Sequence, residues 1–156
     1  MDSLTLTFVL LVVYQGKHFL ADFPLQTFWM LGKFKAKGWV APLAAHAGVH
    51  ACFTSLIAGV VLYLGHAKCS YLVPVYLAAF DFVAHFAMDR VKASPKLLGR
   101  FKSLCYHDFV NKPSMTKTRW EGKLTSNRYF WWSLGVDQAW HHCTHYYIIW
   151  RLVHYV

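Results

Sequence analysis

Charge is scarce in this chain, and negative charge scarcest of all. Of 156 residues 15% are charged, with 7 Asp or Glu against 16 Lys or Arg. Soluble domains carry about a quarter charged residues, so this composition does not build an ordinary solvated surface. The four cysteines, Cys52, Cys69, Cys105 and Cys143, include no Cys-x-x-Cys pair. That argues against a zinc ribbon or a disulfide framework, and they read as small buried apolar residues. The opening Met1-Asp2-Ser3 lacks the basic stretch that begins a signal peptide, so the first apolar run is expected to be a retained helix. There is no internal repeat and no low-complexity tract. The net charge of +9 comes without any nucleic-acid recognition motif, so no nucleic-acid partner is expected.

What is abundant is apolar and aromatic: 56% and 18% of the residues. Four apolar stretches stand out, at about 4–31, 42–64, 71–91 and 129–155. Pro24 is expected to kink the first, and Pro42 suits the first turn of the second. Each stretch is near the roughly 20 residues that cross a bilayer. The expected fold is all-α, a single membrane domain over 1–156 forming an integral bundle of about four transmembrane helices. Runs such as 8–13 and 53–64 weigh against the alternative, a soluble all-helical domain.

The segment 92–128 is rich in Lys and Arg and holds only Asp108 and Glu121 as acids. It reads as a basic cytosolic loop between helices three and four, with a short amphipathic helix around 96–106. Lys33, Lys35 and Lys37 mark the loop between helices one and two. Both basic loops fall on the same side, which the positive-inside rule places in the cytosol. The expected location is therefore the inner (plasma) membrane, multi-pass, with both termini outside. Trp29, Trp39 and the run 129–132 suit interfacial belts.

Polar residues interrupt every stretch at a regular spacing. His18 and Asp22, His46 and His50, Asp81, His85 and Asp89, and Asp137, His141 and His145 are each separated by four residues. Residues four apart share a helical face. Random placement of His and Asp predicts roughly one or two such pairs under a template count; 18/22, 46/50, 81/85, 85/89, 137/141 and 141/145 make six. An ionisable group near the centre of a membrane helix costs about 2.5–3.5 kcal/mol. Hydrogen bonding between Asp and His offsets part of that cost, and a divalent cation offsets more. His and Asp are ligands for zinc, manganese and iron, and inward faces of this kind build metal sites in helix bundles. Under the expected topology all four sets meet at one depth, toward the inner leaflet.

These ten residues are thus the candidate metal ligands, for one or two divalent ions, zinc first, with manganese or iron as alternatives. Asp81 and Asp89 lie about 11–12 Å apart along a helix, so one ion does not take both. Asp22 or Asp89 is the candidate general base, and Arg90 and Lys92 are candidate anchors for a substrate phosphate. Gln26, Gln138 and Thr144 are candidates to orient ligands. His142 points about 100° away from His141 and is left outside the set, as are His66, His107 and His154. Asp–His pairs also serve as polar glue or proton relays without metal.

The strings K-H-F-L-A-D-F-P-L-Q (17–26), D-F-V-A-H-F-A-M-D-R-V-K (81–92) and L-G-V-D-Q-A-W-H-H-C-T-H (134–145) resemble a family of small bacterial and bacteriophage membrane proteins. That family is similar in style to membrane-bound metal-dependent hydrolases. The resemblance implies that the ten His and Asp residues are the metal and catalytic set; it implies no substrate. The expected activity is hydrolysis of a phosphoester in a membrane lipid or lipid-linked anionic substrate at the inner leaflet. Two alternatives stand: a non-catalytic membrane interaction protein stapled by metal, and a metal or proton transport or sensing protein. The apolar stretches 57–64 and 73–79 disfavour a complete transport path.

Overall fold

The computed structural model describes residues 2–67, 71–94, 96–98 and 128–156, the side chains of the last stretch from 131 onward. Most of the basic segment 92–128, including positions 99–106 of the amphipathic helix expected at 96–106, lies outside the described residues, as do Cys69, Cys105 and His107. The described chain holds four α-helices and no strand: α1 (Ser3–Asp22), α2 (Val40–Leu64), α3 (Val73–Ala93) and α4 (Arg128–Tyr155).

Local chemistry sets the ends. The Asp2 carboxylate caps α1 by accepting from the Thr5 backbone N–H at 2.9 Å and the Thr5 hydroxyl at 2.7 Å. These bonds hold Asp2 below the usual carboxylate range. The first helix stops at Asp22 rather than continuing through a kink to 31. Pro24 explains the difference, because it has no N–H to donate to the Leu20 carbonyl, which accepts from the Leu25 N–H at 3.0 Å instead. The chain then makes a 3-10 helix at Met30–Phe34 before α2 begins. Gly32 lets that short helix press on α2: a Cβ there would stand 2.9 Å from Pro42 Cγ. Pro74 lies in the first turn of α3, where its missing N–H is no loss.

α2 and α3 form the most extensive pairing, and α4 packs against both α3 and α1. The helices alternate in direction, which divides the bundle into two zones. One is apolar: Leu6, Leu10 and Tyr14 of α1 meet Ala58 and Leu62 of α2, Leu77 of α3, and Ile148 and Leu152 of α4. The other zone, at the opposite end, is polar. It buries Lys17, His18, His46, His50, Thr54, Asp81, His85, Asp89, Asp137, His141 and His145.

The outward faces are the reverse of a soluble protein. Phe8 is 63% exposed, Val12 73%, Leu56 64% and Tyr63 80%. Soluble proteins bury such side chains and keep ionisable groups outside. α1 and α2 are each long and apolar enough to cross a membrane. In α3 the same residues that fill the polar zone, Asp81, His85 and Asp89, lower the helix's apolar character while facing inward.

Candidate metal centre

The i,i+4 spacing delivers its side chains to one buried volume. His50 and His85 stack with ring centroids 3.8 Å apart, and His85 and His141 at 4.2 Å. His18 lies 5.8 Å from His50, 5.3 Å from His141 and 5.4 Å from His145. Four helices that are distant in sequence therefore share one cluster of imidazoles.

Within it, three groups can each bring three ligand atoms within 4.8 Å of one another: Asp22, His46 and His50; His18, His85 and His145; and Asp89, Asp137 and His141. Nine of the ten expected ligands fall into these groups. Asp81 belongs to none of them.

Asp22 is the hub of the first group. Its carboxylate lies 3.0 Å from His18 Nε2, 3.3 Å from His46 Nε2 and 3.1 Å from His50 Nε2. His46 Nε2 also lies 3.1 Å from Asp89 Oδ2 and so links the first group to the third. In the third group His141 Nε2 is 3.3 Å from Asp137 Oδ1 and 3.8 Å from Asp89 Oδ1.

No family model, curated protein or solved structure matches this chain. The site's chemistry must be argued from its own geometry.

That geometry includes three lysines, of which Lys17 and Lys33 were not expected as part of a site. Lys17 Nζ donates to Asp81 Oδ2 at 2.6 Å and stands 3.3 Å from His145 Nε2. The same Asp81 oxygen accepts from Thr54 Oγ1 at 2.6 Å, and His85 Nδ1 lies 3.0 Å from Asp81 Oδ1. Lys33, on the 3-10 helix, donates to Asp89 at 2.8 Å. Lys92 donates to Asp137 at 2.6 Å and lies 3.7 Å from Asp89. Lys92, expected at a substrate, thus turns into the bundle. A buried ammonium requires such a partner, because removing an ion from water costs several kcal/mol.

Asp22 differs from the other three carboxylates. Among the described residues no lysine or arginine lies within ion-pair distance of it, and its side chain is 17% exposed. Asp81, Asp89 and Asp137 are at most 2% exposed, and each carries an ammonium.

Around the site, Arg90 lies over the Trp39 ring at 3.8 Å, and its Nη1 is buried without a hydrogen-bond partner. Gln138 donates to Asp137 at 3.3 Å, whereas the Thr144 hydroxyl donates to the backbone carbonyl of Trp140. His142 meets Gln15 at 3.2 Å on the exposed side. Gln26 is half-buried in the segment after α1. Thr54 had a signal in the sequence, since it continues the 46/50 series by one turn. Lys17 had one as well, an ammonium inside an apolar stretch. Nothing in the sequence marked Lys33 as buried.

Proposed function

We propose that this chain is a membrane-embedded, metal-dependent hydrolase of the kind its motifs resemble, with its metal at Asp22, His46 and His50 and with His18 beside them. The observation that carries this reading is the contrast among the carboxylates. Three are neutralised by lysines of the chain, and the fourth faces three imidazoles and has an opening to the surroundings. Two imidazoles and a carboxylate suit zinc, iron or manganese. A divalent ion held there supplies Lewis acidity toward a phosphoryl group and nucleophilic water near neutral pH.

The chain's own residues do the rest. Asp89 lies 3.1 Å from His46 Nε2 and is itself fixed by Lys33. It steadies the ring when that nitrogen carries the proton, and the buried, unpartnered Nδ1 is then the nitrogen His46 offers to a metal. This makes Asp89 a positioning residue rather than the proton acceptor. Asp81 locks α1, α2 and α3 together through Lys17, Thr54 and His85. Arg90, braced on Trp39 with a free Nη1, is the anchor for substrate anion.

The substrate class follows from the surroundings of the site. α1 and α2 flank an apolar groove of about 510 Å³, lined by Leu6, Val9, Val13, Ile57, Val60 and Leu64. Its nearest α1 residue, Val13, is about 13 Å of helix from Asp22. A lipid phosphoester with its head at Asp22 and a hydrocarbon chain in the groove fits both features. All four helices cross the inner membrane in this reading, with the ends of α1 and α3 and the starts of α2 and α4 toward the cytosol. The apolar outer faces and inward polar residues support four spans.

Metal analysis of the detergent-solubilised protein tests the reading. Zinc, manganese or iron is expected at one equivalent, lost in Asp22→Asn, and lipid phosphoester hydrolysis should vanish with it. Full activity after chelation, or a folded protein that takes up no metal, would overturn it.

A further inference from the structure

Asp89, Asp137 and His141 have the makings of a cation site in their own right. The three come from α3 and α4, are fully buried, and bring ligand atoms within 4.8 Å of each other. Two carboxylates and an imidazole are a ligand set for manganese, iron or zinc. One of its buried atoms, His141 Nδ1, has no hydrogen-bond partner, and Asp137 Oδ1 meets His141 Nε2, a member of the same group, at 3.3 Å. The ligand atoms are therefore not all used by the chain's own contacts.

What fills the site is ammonium. Lys33 Nζ sits 2.8 Å from Asp89 Oδ2, and Lys92 Nζ sits 2.6 Å from Asp137 Oδ2 and 3.7 Å from Asp89 Oδ1. Two ammonium groups carry the same charge as one divalent ion and balance the same two carboxylates. An ion entering the group would share these oxygens with both lysines, and like charges at such separations repel strongly in a buried setting. The two cations also differ in origin. Lys92 belongs to α3, whereas Lys33 arrives from the 3-10 helix outside the bundle helices.

We infer that Asp89, Asp137 and His141 form a second divalent-cation site that Lys33 and Lys92 occupy, so that the chain without these two lysines takes one ion more than the wild type. The inference goes beyond the hydrolase reading and is separable from it, because it concerns a different set of ligands.

Metal stoichiometry is measured with Mn²⁺ by electron paramagnetic resonance on purified protein in detergent. Lys33→Met/Lys92→Met should bind one more equivalent than wild type, and His141→Ala in that background should remove it. A double variant with native helix content and no additional ion overturns the inference. Where the double variant does not fold, the wild type still decides. Saturation without an ion that depends on His141 supports the inference, and an equivalent lost in His141→Ala but retained in Asp22→Asn overturns it. Wild type with no ion and a double variant with one would refute the Asp22 centre and leave the second site standing.

Discussion

Lys33 Nζ and Asp89 Oδ2 are 2.8 Å apart in the buried interior, though 56 residues separate them in the chain. The pair ties the segment between α1 and α2 to the middle of the polar zone. Breaking it leaves Asp89 with less compensation in a place water does not reach.

Replacing Lys33 with methionine should therefore destabilise the protein by about 3 kcal/mol, the low end for an unpaired buried charge, because Lys92 and His46 remain near Asp89. Thermal unfolding in detergent followed by circular dichroism reads this loss. Added Mn²⁺ should stabilise the variant by more than it stabilises wild type, since binding to the folded state alone stabilises it and the variant has lost one of the two ammonium groups that compete for Asp89 and Asp137.

Asp81 and Asp22 are both buried-zone carboxylates approached by histidine, yet they should behave differently. Asp81→Asn strands the Lys17 ammonium, so it should cost about 3–5 kcal/mol in stability while the metal content stays at the wild-type value. Asp22→Asn should remove the metal and, in metal-free protein, cost less stability than Asp81→Asn, because it strands no ammonium. Unfolding and elemental analysis of the two variants side by side check the contrast; metal loss in Asp81→Asn with Asp22→Asn unaffected would reverse the assignment.

The difference between these two residues shows what the sequence could and could not carry. Helical periodicity placed His18, His46, His50, His85, His141 and His145 on inward faces, and the structure gathers all of them into one cluster. Helix boundaries agreed within about two residues where a turn or Pro marked them, as at α2 and α3. α1 was overextended because the apolar run continues past Pro24 while the backbone does not. The roles within the cluster were not legible. A four-residue spacing cannot tell a carboxylate that meets a lysine 64 residues away, as Asp81 meets Lys17, from one left open to a ligand. Lys33 sits in a loop whose lysines read as surface charge, and its burial depends on the tertiary fit of the 3-10 helix against α2.

That fit rests on Gly32. A Cβ at this position would stand 2.9 Å from Pro42 Cγ and 3.2 Å from Pro42 Cβ. Pro42 is a rigid ring and cannot swing away as a flexible side chain would. Gly32→Ala should thus shift the short helix and cost about 1–3 kcal/mol, with Lys33 partly withdrawn from Asp89. Unfolding midpoints give the cost. A stability equal to wild type would show that the 3-10 helix is not held against α2.

The outward faces supply the test of membrane embedding. Phe8 is the sixth of the 20 residues of α1 and is 63% exposed, opposite a face that buries Leu6, Leu10 and Tyr14. In water, an exposed Phe→Asp change away from special features usually alters stability by no more than about 0.5 kcal/mol. Facing lipid, a carboxylate costs about 2.5–3.5 kcal/mol at a helix centre, and a part of that at Phe8, about 7 Å of helix from the start of α1. Phe8→Asp should therefore sharply lower the yield of membrane-integrated protein, while Asp at position 35, in place of Lys35 outside the helices, should change it much less. Carbonate extraction followed by immunoblotting separates the outcomes. Phe8→Asp protein that expresses at wild-type yield and remains soluble without detergent would mean that the bundle folds in water, and the lipid-substrate reading would fall with it.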